Sequence, residues 1–202
     1  MKKKRVSADK RRKQIIETAM KLFSKKGFKG TTTKDIAQKV SMNEAILYRH
    51  FKTKENLYQA IINTACSEKE KPLIHQELID KKDDQVIFKS IAMEIMKRLE
   101  KNQTFTRLFL FSALEGHKLS EMFLKTKIMK AFENLADYLK KRMDEGAIKK
   151  MNPKLAARGF IGMLIYYMFV QDIYGGKKIE IFEKEEVVGV FVEIFLKGMQ
   201  IG

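Results

Sequence analysis

Apolar residues recur at three- and four-residue spacing along almost the whole chain, and this periodicity predicts a protein built of α-helices. In the first predicted helix, residues 8–26, the side chains of Ile15, Ala19 and Phe23 lie on one stripe. Alternating patterns typical of strands are missing, and the 202 residues include only two prolines. The chain is 45% hydrophobic, so it can bury a sizeable core. We expect an all-α fold of about nine helices.

Two short helices, predicted over residues 33–40 and 44–51, are joined by a turn of three to four residues. Thr32 and Asp35 have the spacing of a capping box, and Asn43 is a good N-cap for the second helix. These dimensions are those of a helix-turn-helix, whose second helix enters the major groove of DNA. Short helices of this kind also occur in many other all-α folds.

Positive charge is concentrated in the same region. The net charge is +16, and residues 1–54 hold 17 Lys and Arg against four Asp and Glu. The remainder of the chain is nearly neutral. This asymmetry favours a polyanion-binding head on a neutral body, although a solvated basic surface or an attraction to anionic membranes would give the same pattern.

The rest of the chain predicts longer helices. Their expected ranges are 54–70, 84–101, 104–115, 119–145, 153–173 and 183–198. We therefore expect a helix-turn-helix DNA-binding domain over residues 1–53 and an all-helical ligand-binding and dimerisation domain over residues 54–202. No flexible linker separates the two.

Several classes of protein fit the sequence poorly. The longest apolar run, residues 159–170, is shorter than the roughly 18 residues that span a membrane. A lone Cys66 excludes an internal disulfide and a cysteine-rich metal site, and the basic N-terminus is not followed by an apolar signal segment. No phosphate loop, nucleophile motif or metal-ligand spacing accompanies the three histidines, which argues against an enzyme, a metal or a cofactor. We expect a cytoplasmic protein that does not bind membranes.

Residues 19–61 read AMKLFSKKGFKGTTTKDIAQKVSMNEAILYRHFKTKENLYQAI. The Leu-Phe-x-x-x-Gly-Phe, Thr-Thr-x-x-Ile-Ala and Leu-Tyr-x-His-Phe-Lys-x-Lys-Glu-x-Leu segments, in this order, resemble the DNA-binding domain of the TetR family of bacterial transcriptional regulators. The resemblance covers about a quarter to a third of the chain. Ser41 and Ala45 stand where the family often has glycine, which leaves the turn geometry and the base preference open.

The resemblance implies a set of DNA contacts. Thr33 and the helix terminus at Lys54 suit phosphates, and Lys34 suits a guanine edge. Glu44 suits cytosine N4, and Tyr48 resembles a backbone clamp that can also reach a base. The full set of expected DNA-binding residues is Thr33, Lys34, Asn43, Glu44, Ala45, Ile46, Tyr48, Arg49, His50, Lys52 and Lys54. Packing between helices is the alternative role for Tyr48 and His50, and a general attraction to DNA without fixed contacts is the alternative for Arg49 and Lys52.

The resemblance further implies a repressor that binds a palindromic operator as a homodimer and is released by a small, largely apolar or aromatic inducer. Soft Met and flat Phe side chains suit such a ligand, although the same residues are typical of a plain core. The expected pocket residues are Phe88, Met93, Phe105, Phe109, Phe111, His117, Met163, Tyr166, Tyr167 and Phe169. The expected dimer-interface residues are Gly159, Gly162, Gly189, Phe191 and Phe195. Burial inside a monomer is the alternative for the last two helices, and sequence-indifferent binding is the alternative for the basic head.

Overall fold

A computed structural model describes residues 7–67, 72–74 and 76–201, and all regular structure in this part of the chain is helical. The first six residues, which belong to the expected basic tail, and His75 lie outside the described residues. The α-helices are α1 (Ala8–Lys26), α2 (Thr33–Lys39), α3 (Glu44–His50), α4 (Lys54–Ser67), α5 (Gln76–Lys81), α6 (Asp84–Lys101), α7 (Gln103–Leu114), α8 (Lys118–Phe123), α9 (Met129–Asp144), α10 (Pro153–Asp172) and α11 (Lys184–Lys197). A π-helical turn, Leu124–Ile128, joins α8 to α9, and a 3-10 turn, Gly176–Lys178, follows α10.

The predicted all-α class is confirmed, and the predicted helix ranges agree closely with the observed ones. One helix was not anticipated: α5 is not predicted, because six residues are fewer than two helical turns and show no repeating apolar pattern. The helix predicted over 119–145, for which an interruption was left open, is present as α8, the π-helical turn and α9, which follow one another without a break.

The chain forms two compact units that are not consecutive in sequence. The N-terminal unit consists of Met1–Lys69 and Thr104–Leu124, and the C-terminal unit of Glu70–Gln103 and Lys125–Gly202. The helices α7 and α8 thus belong to the same unit as the three helices at the N-terminus. The domain boundary expected at residue 53 stays a prediction.

The N-terminal unit has its own hydrophobic core. One residue or more from each of α1, α2, α3, α4 and α7 is fully buried there. The core residues are Ile15, Ala19, Phe23, Ile36, Ala37, Val40, Leu47, Phe51, Leu57, Tyr58, Ile61, Ile62 and Leu108. Phe23, Phe28 and Tyr58 form an aromatic cluster with ring centroids 5.0–5.7 Å apart. Burial of apolar surface is the main stabilising term, so these residues hold the short helices α2 and α3 in place.

Local capping follows the sequence rules. The Thr32 hydroxyl accepts from the Asp35 N–H at 3.0 Å, and the Asp35 carboxylate accepts from the Thr32 N–H at 3.1 Å. The bond from the Thr32 N–H to the carboxylate favours the charged form and lowers the pKa of Asp35. Gly27 ends α1 with φ of +72°, and a Cβ there would lie 2.6 Å from the Glu115 carboxylate. Glycine is therefore required at residue 27 both for its backbone conformation and for its close packing.

The C-terminal unit is a bundle in which α10 packs on α9 and α6, and α11 packs on α6. Phe88 is fully buried at its centre and contacts the rings of Phe160 and Phe195 at 4.8 and 5.0 Å. In this unit the Arg142 guanidinium binds the Asp84 carboxylate at 2.9 Å. This bond raises the pKa of Arg142. The ion pair fixes the first turn of α6 against the last turn of α9.

Ser41 occupies the turn between α2 and α3 with φ of +54°, a left-handed conformation that a side chain disfavours. Because Ser41 is exposed, substitutions there test the backbone conformation without disturbing the core. We expect Ser41→Gly to raise the unfolding free energy by about 0.5 kcal/mol, after the greater freedom of glycine in the unfolded chain is subtracted. Ser41→Val should lower it by about 1–2 kcal/mol, since a β-branched residue is strained at positive φ. Chemical denaturation of the full chain measures both, and equal effects of the two variants would contradict this account.

Candidate nucleic-acid interface

The helix α3 buries one face and exposes the other. Leu47, and Phe51 just after the helix, are almost completely buried in the core of the N-terminal unit. The opposite face presents Ala45, Ile46 and Tyr48 to solvent; the latter two are 38% and 44% exposed. Exposed apolar and aromatic side chains on one helix face can pack on base edges such as a thymine methyl. This face of α3 is therefore available to contact the edges of base pairs.

Three interactions fix the orientation of α3. The Asn43 side-chain oxygen caps the helix by accepting from the Ile46 N–H at 2.9 Å. Asn43 was expected to contact DNA, and this oxygen is engaged in the cap. Arg12 of α1 donates to the His50 carbonyl at 2.9 Å. The same guanidinium lies 4.1 Å from the centre of the Phe51 ring. Arg12 was not among the predicted site residues, because only the tertiary fold brings α1 to the end of α3.

A hydrogen-bonded group links α2 to α3 on the exposed face. The Thr33 hydroxyl donates to the Glu44 carboxylate at 2.7 Å. The Tyr48 hydroxyl lies 3.2 Å from the same Thr33 oxygen. Thr33 was expected to bind a phosphate, but its hydroxyl is already engaged with two of the residues expected to read bases. In the structure the Thr33 hydroxyl thus contacts Glu44 and Tyr48, and its expected phosphate contact stays a prediction.

Lys54 is directed into the protein. Its ammonium donates to the carbonyls of Phe28 and Thr31 at 2.9 and 3.1 Å. It also lies 4.2 Å from the centre of the Phe28 ring. These contacts join the start of α4 to the loop that precedes α2. The expected phosphate contact by this ammonium stays a prediction, and it would compete with these bonds.

Three other predicted cations remain on the surface. The side chains of Lys34, Arg49 and Lys52 are exposed, whereas His50 is half-buried. Lys34 lies in the first turn of α2, and Arg49 and Lys52 lie at the end of α3 and just beyond it. Mobile exposed cations can follow a phosphate backbone without fixed contacts.

Residues of α7 and the turn after it complete the N-terminal unit. Glu115 accepts from the N–H groups of Phe28 and Lys29 at 3.0 and 3.2 Å. The His117 ring lies 5.1 Å from the Phe28 ring and 4.9 Å from the Tyr58 ring. His117, expected to line a ligand pocket, here packs on the aromatic cluster. No local signal in the sequence could have joined Glu115 to residues almost ninety positions away.

The other predicted pocket residues are distributed over both compact units. Phe105 and Phe109 contact Phe123 in the N-terminal unit, and Phe111 lies close to Gly27 in that unit. In the C-terminal unit, Phe88 is a core residue and Met93 packs against the same core. Phe169 is half-buried in α10. Met163, Tyr166 and Tyr167 together line one cavity. The ligand role of all ten residues stays a prediction.

The predicted dimer residues also separate into two groups. Gly159 and Gly162 are exposed on α10, and a Cβ at either glycine, or at Gly189, would meet no atom within 4 Å. Phe191 and Phe195 instead contact rings of their own unit, Tyr167 and Phe160 among them. Four other exposed apolar residues lie near these glycines, namely Leu155, Tyr166, Val190 and Ile194, of which only Tyr166 was predicted, and then as a pocket residue. Helical spacing would have found two of them, since residues 155, 159, 162 and 166 share one stripe of α10.

Two kinds of feature are absent from the described residues. These residues contain no group of three or more His, Cys, Asp or Glu side chains that could hold a metal ion. No helix among them is long and apolar enough to cross a membrane.

Replacing Thr33 by Val removes the hydroxyl that holds Glu44 and Tyr48 but keeps the shape of the side chain. We expect Thr33→Val to reduce discrimination between bases at the positions that α3 reads by about five- to tenfold, the value of one lost hydrogen bond. Thr33→Ser, which keeps the hydroxyl, is the matched control. Selection of duplexes from a random pool, followed by sequencing, measures the preference. Uniformly weaker binding with unchanged preference would instead indicate that Thr33 contacts a phosphate.

Lys54→Met removes a cation that bonds two carbonyls while keeping the aliphatic stem. We expect the unfolding free energy to fall by about 1.5–3 kcal/mol, the range for hydrogen bonds to charged groups. Lys52→Met, at an exposed neighbouring position, should change it by about 0.5 kcal/mol or less. Urea denaturation measures both variants. Two results together would contradict the structural role: unchanged stability of Lys54→Met, and a plot of log affinity for DNA against log salt concentration whose slope is smaller by about one.

Comparison with known proteins agrees with this geometry. The family model for bacterial regulatory proteins of the tetR family matches residues 15–61. The model for the C-terminal domain of AefR-like transcriptional repressors matches residues 90–198, more than half of the chain.

Individual relatives cover both the whole chain and its N-terminal part. The uncharacterised HTH-type transcriptional regulator YvkB of Bacillus subtilis (strain 168) is 28% identical over 188 residues, 93% of this chain and 96% of that protein. IcaR of Staphylococcus aureus (strain Newman), a negative transcriptional regulator of the biofilm operon icaADBC, is 48% identical over 46 residues, which are 23% of this chain and 25% of IcaR.

A solved structure supports the fold. AibR, in its complex with isovaleryl coenzyme A and operator DNA, superposes with a TM-score of 0.68 at 20% identity, covering 91% of this chain and 97% of AibR. Together with the exposed face of α3, these matches show that the chain belongs to the TetR family of bacterial transcriptional regulators, which are DNA-binding proteins rather than enzymes.

Proposed function

We propose that this protein is a repressor that binds a palindromic operator as a homodimer, with α3 of each subunit in a major groove. The observation that carries the proposal is the exposed face of α3 with its apolar and aromatic side chains. Burial of Leu47 and Phe51 holds this helix in place. Ala45 and Ile46 suit a thymine methyl, and Glu44 suits cytosine N4. Repression is supported by the similarity to AefR-like repressors and to IcaR.

A homodimer is supported by the surface of α10 and α11. Leu155 and Tyr166 flank the exposed glycines of α10, and Val190 and Ile194 are exposed on α11. We define these four residues with Gly159 and Gly162 as the apolar stripe. Apolar residues beside glycines permit close approach of helices, and a two-fold axis through the apolar stripe would form a four-helix interface. Two heads related by that axis would read the two halves of a palindrome.

Release by a small molecule is the third part of the proposal. The C-terminal unit contains a mostly apolar cavity of about 490 Å³, lined in part by Met163 and Tyr167. Its size is in the range that binds drug-sized ligands. A ligand that binds the released form more tightly than the operator-bound form lowers the affinity for DNA. We expect the protein to act in the cytoplasm, where its DNA lies.

The test is selection of genomic duplexes by the purified protein, followed by measurement of affinity at physiological salt. We expect a two-fold symmetric site bound at least about 10³-fold more tightly than unrelated DNA. Gly162→Glu should place a charge in the apolar stripe and yield a folded monomer, since no atom lies within 4 Å of the new Cβ. Light scattering gives the oligomeric state. Gln85→Glu, an exposed change on α6, adds the same charge as a control.

The outcomes separate the parts of the proposal. A Gly162→Glu monomer should lose affinity for the palindrome but retain weak binding to a half-site. Equal affinity of the wild type for all duplexes would instead indicate a sequence-indifferent binder driven by charge. A dimeric Gly162→Glu variant would place the interface elsewhere on the surface.

A further inference from the structure

The cavity of the C-terminal unit has walls of a single chemical character. It lies against the C-terminal half of α10, the 3-10 turn, the segment that follows this turn and the first part of α11. Its apolar lining residues are Met163, Tyr166, Tyr167, Val170, Ile179, Phe182 and Phe191. Flat rings and a flexible thioether adapt to an apolar or aromatic ligand.

Two polar side chains, Gln171 and Glu180, interrupt this apolar lining, and only Gln171 is buried. Gln171 lines the cavity, its side chain is only 7% exposed, and its Oε1 atom is buried without a hydrogen-bond partner among the described residues. Buried polar atoms in native proteins are nearly always paired, because an unpaired one costs its full desolvation free energy. Replacement of Gln171 by an apolar residue would remove this cost. Because Gln171 belongs to the cavity wall, a rotation of its side chain would bring this unpaired acceptor to a ligand that supplies the missing donor.

The wall opposite α10 is held in a defined shape. A Cβ at Gly176 would lie 2.8 Å from the Val170 carbonyl oxygen, so only glycine lets the turn approach α10 this closely. Lys177 binds Asp172 at 2.7 Å, and this bond raises the pKa of Lys177. The N–H groups of Ile179 and Glu180 both donate to the Gly176 carbonyl, at 2.8 and 2.9 Å. The cavity is thus part of the folded structure of this turn.

Charges of both signs lie near the cavity, because the Lys177 ammonium is paired there with Asp172, so the surroundings favour an ion of neither sign. Glu180 also lines the cavity, and its side chain is exposed. A ligand carboxylate would meet this carboxylate and the Gln171 oxygen, both of which repel it. A cation could pair with Glu180 while staying hydrated, because Glu180 is exposed. Binding inside the cavity would instead bury its charge among apolar walls, which is costly. A neutral ligand avoids both costs.

We propose that this cavity binds a neutral lipophile, aromatic or aliphatic, that carries one O–H or N–H group and donates it to Gln171 Oε1. The apolar body of the ligand fills the space between Tyr167, Val170 and Phe191, and its single donor pairs the buried oxygen. The inference rests on the proposed function only in taking this ligand as the molecule that releases the operator. Binding itself requires no DNA.

Four matched probes test the ligand class on the full-length protein by titration calorimetry. They are 4-hydroxybiphenyl, 4-methoxybiphenyl, biphenyl-4-carboxylate and 4-(aminomethyl)biphenyl, which share one apolar body and differ in the polar group. We expect the phenol to bind about tenfold more tightly than the methyl ether, the value of one hydrogen bond to a buried acceptor. The carboxylate and the ammonium should bind more weakly than the phenol.

Two variants locate the binding. Gln171→Leu should remove the preference for the phenol over the ether, so that the two bind within about twofold of each other. Without any probe, Gln171→Leu should unfold at a temperature no lower than that of the wild type, which would show that the variant is folded. Met163→Trp should fill the cavity and weaken all four probes at least tenfold, with circular dichroism to confirm its helical content. Gln85→Leu, an exposed change of the same type on α6, is the matched control.

Each outcome decides the proposal. No probe binding below millimolar concentration, or a phenol preference that survives Gln171→Leu, would overturn it. Tightest binding by the ammonium, lost in Glu180→Gln, would overturn it in favour of a cationic ligand. If the probes bind as expected but do not release the operator in a parallel gel-shift assay, the site stands and the proposed inducer role fails. Unchanged release in Gln171→Leu and Met163→Trp would place the inducer at another site.

Discussion

The burial of Leu47 and Phe51 is the constraint on which the DNA-binding surface depends. A seven-residue helix is not stable in water by itself, because the free-energy cost of nucleation exceeds the gain from so few hydrogen bonds. The helix α3 exists because these two side chains enter a core built by α1, α2, α4 and one residue of α7. Once they are buried, the helical repeat fixes which residues face outward, and Ile46 and Tyr48 are exposed as a consequence.

The basic head uses its cations for two purposes that composition cannot separate. Arg12 and Lys54 bind backbone carbonyls and lie against aromatic rings, so part of their charge stabilises the fold. Lys34, Arg49 and Lys52 remain exposed and supply the field that attracts a polyanion. The division follows from geometry, since the carbonyls of His50, Phe28 and Thr31 lie within reach of Arg12 and Lys54.

Local features were predictable and distant pairings were not. The capping box of Thr32 and the N-cap of Asn43 depend on neighbours in sequence, and both are present in the structure. The family resemblance located the helix-turn-helix because its spacing is also local. The bond from Glu115 to the loop before α2 and the inward packing of Phe195 depend on which faces meet in three dimensions. On helices that are apolar nearly all round, periodicity does not say which face meets which neighbour.

Apolar residues of α10 face three different surroundings. One face, including Phe160, is buried in the core; a second carries the apolar stripe; a third lines the cavity near Gln171. Tyr166 belongs to both the apolar stripe and the cavity wall. If both proposals hold, a ligand that fixes the Tyr166 ring changes the surface that a second subunit meets. Coupling between ligand and dimer would then require no movement of the core, only a different position of one side chain that both sites share.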